Sequence, residues 1–230
     1  MKDKFKPYTK DLQLESWWYI LKYDDNSAYP YAKLEYVYYR MALDAGIEMM
    51  PSELRTYDGV THFLTQRFDR EGNEKIHTQT LAAMLPTSDS YEDIFSVIRR
   101  LNLPYEDSRQ HFLRMVFNVT TRNVDDHSKN FSFCMNKKGI WRLSPAYDLT
   151  YSVDLTAPAY SNRHSLTING KNEDITREDL GTVGQNNDIQ DYNALIDTVY
   201  NAVAKFESHA RELRIDEKLI KSIQEDFIKV

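Results

Sequence analysis

At 230 residues, with 41% hydrophobic and 13% aromatic content, the chain can bury a core sized for one large domain or two small parts. A net charge of −6 argues against direct nucleic-acid binding, which needs clustered Lys and Arg against phosphates, and the local basic excess at Lys2, Lys4, Lys6 and Lys10 reads as a solvated leader. The single Cys134 excludes an intrachain disulfide and a thiolate metal cluster. No apolar run approaches ~18 residues and no signal-peptide pattern opens the chain, so the expectation is a soluble cytoplasmic protein without membrane contact.

Trp17 to Tyr23 is aromatic and β-branched and reads as a strand, closed by the polar cluster Asp24-Asp25-Asn26-Ser27. Leu34, Val37, Tyr38 and Met41 recur at helical spacing from Ala32 to Ala45, and Gly46 stands where a helix C-terminal glycine is favoured. His62 to Phe68 suggests a second strand, ending at the turn Asp69-Arg70-Glu71-Gly72. Helical patterns follow over Tyr91 to Leu101 and Ser108 to Thr121, the second with Phe112, Met115, Val116 and Val119 on one face. Phe131 to Met135 and Ile140 to Leu143 read as a hairpin around Asn136-Lys137-Lys138-Gly139. Tyr151 to Asn172 is a long polar loop of the kind that carries function. Thr176 to Asp179 fits a capping box, Gly184 is expected to close that short helix, and two amphipathic helices end the chain, through Leu195 to Phe206 and Leu219 to Phe227. The fold class expected is α+β, with a small mixed N-terminal part over residues 1–68 and a mainly helical part over residues 69–230.

The run Asn123 to Asn130 sets Asp125 and Asn130 five residues apart, and Asp148 follows Asn130 by eighteen, with the hairpin between. That order matches the catalytic loop of phosphoryl-transfer enzymes. There the first Asp accepts the proton of the substrate hydroxyl, and the Asn and second Asp hold Mg²⁺ on nucleotide phosphates. Hard oxygen ligands suit that ion. Asn and Asp also favour ordinary turns, so the weight rests on the combination with Asp148. A lone strand lysine such as Lys22 commonly guards a sheet edge. The functional reading pairs it with Glu35, thirteen residues on in the following helix, and sets it on the phosphates. Gln66, Arg67 and Phe68 would form the hinge that reads adenine. His127 and Lys129 flank the proposed base and are counted with the nucleotide-binding residues, although a His there also serves to brace the loop by hydrogen bonds.

Four stretches carry a family resemblance: YILK at Tyr19 to Lys22, TQRFDREG at Thr65 to Gly72, RMVFNVTTRNVDDHSKNF at Arg114 to Phe131, and WRLSPAYDLTYS at Trp141 to Ser152. On these the chain resembles the C-terminal domain of the HipA family of bacterial Ser/Thr protein kinase toxins. The resemblance implies a protein-kinase-like, two-lobed fold and the use of ATP and Mg²⁺. It places the catalytic residue on Asp125, metal ligands on Asn130 and Asp148, the phosphate lysine on Lys22 and the hinge on Gln66 to Phe68. It also implies a HipB-like antitoxin as partner, aminoacyl-tRNA synthetases among protein substrates, and drug-tolerant persistence as the outcome.

The family's glycine-rich loop ahead of the strand lysine has no counterpart, since the first glycine is Gly46. A fragment or split-gene half, with a separate N-terminal subunit, is therefore one expectation. Two alternatives stand beside the protein kinase. One is a small-molecule kinase, because antibiotic and choline kinases resemble the same Asp-to-Asn spacing; the other is a degenerate kinase fold that binds an antitoxin or partner.

Overall fold

Strand β2 (Trp17–Lys22) forms where its aromatic and β-branched residues predict. Its alternation buries Leu21 on one face and turns Ile20 and Lys22 toward a cleft on the other. The computed structural model describes residues 9–14, 17–24, 29–154 and 162–228. Lys2, Lys4 and Lys6, and residues 155–161 of the expected long loop, lie outside these.

β2 sits inside a four-stranded antiparallel sheet of order β1-β2-β4-β3, completed by β1 (Thr9–Leu14), β3 (Ser52–Tyr57) and β4 (Val60–Gln66). Asp58 and Gly59, both at positive φ (50° and 82°), make the tight turn between β3 and β4. Between β2 and β3 runs α1 (Tyr31–Asp44), with Leu34, Val37, Tyr38 and Met41 fully buried as their spacing predicts. Its N-cap, Pro30, has no capping side chain. Asp24, two residues after β2, accepts the Ala32 N–H at 3.1 Å instead. Gly46, at φ 76°, ends the helix, and the Ile47 N–H returns to the Ala42 carbonyl at 2.9 Å.

After β4 the expected turn is a pair of two-residue strands, β5 (Arg70–Glu71) and β6 (Glu74–Lys75), and β7 (His77–Thr80) follows. β7 pairs with β8 (Ser132–Met135), which pairs with β9 (Trp141–Leu143), so the expected hairpin is two strands of a three-stranded sheet. A single-turn helix, α2 (Leu81–Met84), is capped by Thr80. α3 (Tyr91–Arg100) starts at a Ser90/Asp93 capping box, and α4 (Tyr105–Thr120) begins three residues before its expected start.

The capping box at Thr176 and Asp179 is present and starts α5 (Arg177–Asn186). Gly184 does not close that helix. A Cβ there would come 2.7 Å from Tyr192 Cβ and 3.1 Å from a Phe112 ring carbon, so the glycine serves close helix packing and α5 runs two residues further. Three helices, not two, end the described chain: α6 (Tyr192–Val203), α7 (Phe206–Glu212) and α8 (Glu217–Asp226). Phe206 opens α7 rather than closing α6. One continuous apolar cluster runs from α1 through α3 and α4 to α8, and it fixes α1 against the helical part.

Candidate active site

α4 is buried on nearly every side, so the loop that follows it starts from a rigid point. The Tyr38 hydroxyl of α1 donates to the Thr121 carbonyl at 2.6 Å and ties α1 to that point. Asp126 anchors the loop itself. Its carboxylate, 1% exposed, accepts the Tyr91 hydroxyl, His164 Nδ1 and the Ser165 N–H, each at 2.7 Å. The bracing expected of His127 is thus carried by Asp126, while His127 Nδ1 is buried without a hydrogen-bond partner among the described residues. His127 Nε2 lies 3.9 Å from Asp125 Oδ1.

With Asp126 turned inward, its neighbour Asp125 faces outward, its side chain 69% exposed. Asn130, in a turn of 3₁₀ helix, donates its amide Nδ2 to the Asp125 carbonyl at 2.9 Å. This leaves the Asn130 amide oxygen available as a ligand.

Asp148 reaches the same region along a pinned segment. The Ala146 N–H donates to the Glu48 carbonyl at 2.8 Å, and the Tyr147 hydroxyl meets the Lys129 carbonyl at 2.8 Å and Ser132 Oγ at 2.5 Å. Asp148 itself takes the left-handed conformation, φ 59°, which Asp tolerates better than most residues. Its Oδ1 lies 2.6 Å from Lys22 Nζ, whose other partner is Glu35 Oε1 at 2.5 Å. Sheet, α1 and the post-hairpin segment therefore meet at one ammonium.

Burial opposes the Lys22 charge, but Glu35 and Asp148 outweigh it and raise the lysine above its ordinary range, so it stays protonated. Burial pushes the Glu35 carboxyl up to about 7, opposed by Lys22 and assisted by the negative Asp148.

These three side chains line a cleft of about 400 Å³, within the size range of small-molecule sites. Ile20, Met49, Met50, Phe63 and Phe68 give it apolar walls, and Lys129 also borders it. Gln66 is the last residue of β4, whereas Arg67 and Phe68 lie just beyond the strand; all three line the cleft. The Arg67 guanidinium grips the Asp69 carboxylate through Nε and one terminal nitrogen, both at 2.7 Å, and bonds Asp11 at 2.6 Å. Its side chain thus holds β1 and the turn after β4 together. Asn130 and Asp148 share a smaller recess with Asp126 and the buried Arg114, while Asp125 and His127 border neither space.

The donors near Asp148 are hard oxygens: its own carboxylate and the Asn130 amide oxygen. Among the described residues no three His, Cys, Asp or Glu side chains are grouped to hold a metal. A carboxylate and an amide oxygen are donors of the kind that suit an ion such as Mg²⁺, which binds through one or two carboxylates, phosphates and water.

The family model for the HipA-like C-terminal domain matches residues 2–227. The chain belongs to that family. A Sinorhizobium fredii protein named "Putative kinase Y4mE" is 28% identical over 130 residues, which cover 50% of this chain and 31% of the relative. Among solved structures, the Shewanella oneidensis HipA chain, determined with HipB and operator DNA, superposes with TM-score 0.70 at 18% identity. That match covers 90% of this chain and 56% of HipA. The Helicobacter pylori proinflammatory kinase CtkA superposes with TM-score 0.58 at 12% identity, covering 94% of this chain and 93% of CtkA. The mixed α/β fold is shared with these two structures. The chain spans less than two thirds of the length of Y4mE and of HipA. Among the described residues no helix is long and apolar enough to cross a membrane.

Proposed function

We propose that the chain is a HipA-like Ser/Thr protein kinase domain that transfers the γ-phosphoryl of ATP to a protein hydroxyl. The observation that carries this reading is the meeting of Lys22, Glu35 and Asp148 in an apolar-walled cleft, beside the loop that holds Asp125 and Asn130.

Lys22, steadied by Glu35, neutralises phosphate charge in the cleft. Asn130 and Asp148 would hold Mg²⁺, which would supply positive charge to offset the charge on the phosphates. Asp125, exposed to an incoming acceptor, orients the hydroxyl and takes its proton. Lys129, at the cleft border, adds positive charge beside the phosphates, and His127 supports Asp125 from 3.9 Å. In the hinge, the Gln66 and Arg67 N–H groups already donate to the Pro51 and Trp18 carbonyls at 3.0 and 2.8 Å. Among the described residues the Phe68 N–H makes no such bond and is the hinge donor that would meet a base edge, and its ring lies 5.4 Å from that of Tyr147.

By family and by likeness to HipA, the biological role proposed is the toxin of a toxin–antitoxin module with a HipB-like antitoxin as partner. A second reading is a catalytically weak or degenerate kinase fold that binds a partner. One assay separates the two. ADP formation from Mg²⁺·ATP that falls by roughly 100-fold or more in Asp125→Ala supports the kinase, in line with the contribution of a positioned base. Absence of turnover in a chain that binds ATP supports the second reading.

A further inference from the structure

The Asp125 carboxylate has no side-chain hydrogen bond among the described residues, and the His127 ring nitrogen Nε2 stands 3.9 Å away. Where that carboxylate sits is therefore set by its backbone. Both polar groups of that backbone are held by side chains. The carbonyl accepts from Asn130 Nδ2 at 2.9 Å, and the N–H donates to Ser152 Oγ at 3.0 Å.

Ser152 lies four residues after Asp148, on the segment that leaves the cleft. Its hydroxyl donates onward to Asn123 Oδ1 at 3.3 Å, and its own N–H points to the Arg122 carbonyl at 3.5 Å. Asn123 Nδ2 donates to Asn118 Oδ1 at 3.0 Å, and Asn118 Nδ2 to the Tyr91 hydroxyl at 2.8 Å. Tyr91 in turn donates to Asp126. Asn118, Asn123 and Asp126 are each no more than 2% exposed, so the relay runs through the interior, where unpaired polar groups are costly and satisfied networks are rigid.

We infer that Ser152 is a positioning residue, whose single hydroxyl locks the peptide of Asp125 to the segment carrying Asp148. The acceptor-hydroxyl site and the metal site are thereby set as one unit. This inference rests on the kinase reading for its effect on turnover, but its structural core does not.

The test compares the wild type with Ser152→Ala, which removes both bonds, and Ser152→Thr, which keeps the hydroxyl. Amide hydrogen exchange at Asp125, followed by NMR, is expected to be at least about tenfold faster in Ser152→Ala and near wild type in Ser152→Thr, the scale of one lost hydrogen bond. The kcat for ATP hydrolysis should fall about tenfold in Ser152→Ala with KM for Mg²⁺·ATP within about twofold, because the cleft residues are untouched. Unchanged exchange at Asp125, or a Thr variant as impaired as the Ala variant, overturns the inference. A wild type that turns over no ATP counts against the kinase reading instead, and the exchange measurement still decides the role of Ser152.

Discussion

Lys22 and Asp148 are 126 residues apart in sequence and 2.6 Å apart in space. Glu35 holds the other side of the same ammonium, with Lys22 and Glu35 only 16% and 12% exposed. A carboxylate left in such a position without its partner is poorly solvated, so the two residues act together. Lys22→Ala and Glu35→Ala should each weaken ATP binding, and the double variant should lose less than the sum of the two. The expected coupling is about 0.5–3 kcal/mol. Titration calorimetry on the four proteins measures it, and simple additivity would mean that Glu35 does not prepare Lys22 for phosphate.

Asp126 differs from Asp125 in kind, although the two are adjacent. Its substitution should act on stability first. Asp126→Ala strands the Tyr91 hydroxyl and His164 in the interior, while the Ser165 N–H keeps the Val124 carbonyl at 3.2 Å, a cost of about 3–5 kcal/mol in urea unfolding. Asp125→Ala, at an exposed side chain, should change stability by no more than about 0.5 kcal/mol. Equal losses in the two variants would contradict this division.

His111, wholly buried in α4 among Tyr91, Phe95 and Phe131, is pushed down to about 3 by that burial. Its hydrogen bond to the Tyr91 carbonyl opposes the shift and the Arg114 charge adds to it. The unfolded chain takes up a proton here below about pH 6.5, whereas the folded chain does not until near pH 3. Stability contributed by the neutral imidazole is therefore present above pH 6.5 and is lost as the pH falls toward 3. His111→Gln should reduce the slope of unfolding free energy between pH 5 and 4 by about 1.4 kcal/mol per pH unit, one proton's worth. An unchanged slope in urea melts would show that His111 titrates normally.

The parts legible in the sequence are those that local chemistry decides. Helical spacing marks α1 and α4, the Asn136 to Gly139 turn marks the β8–β9 hairpin, and the intervals from Asp125 to Asn130 and Asp148 mark the loop. The remaining strands owe their form to their pairing partners rather than to their own pattern. β1, with Lys10, Asp11, Gln13 and Leu14 exposed, has only the short alternation Leu12-Gln13-Leu14 and exists by pairing with β2. β7 depends on β8, more than fifty residues away. β3 is a mostly exposed edge, although Asp58-Gly59 is a hairpin signal legible in the sequence. Nothing local distinguishes Asp126 from Asp125. The difference is made by Tyr91 and His164, brought in from elsewhere in the chain. The Ser152 bond to Asp125 is hidden for the same reason.

The most direct test of the site is calorimetric titration of Mg²⁺·ATP into the wild type, Asp148→Ala and Asp125→Ala. Asp148 stands beside Lys22 in the cleft, whereas Asp125 faces the acceptor side. The expected result is Mg²⁺-dependent binding in the wild type, weakened by about tenfold or more in Asp148→Ala and changed by less than about threefold in Asp125→Ala, since a metal and phosphate contact is lost only in the first. Binding indifferent to Mg²⁺, or equal losses in two well-folded variants, would contradict the assignment of this cleft as a nucleotide site with Asp148 as its metal ligand.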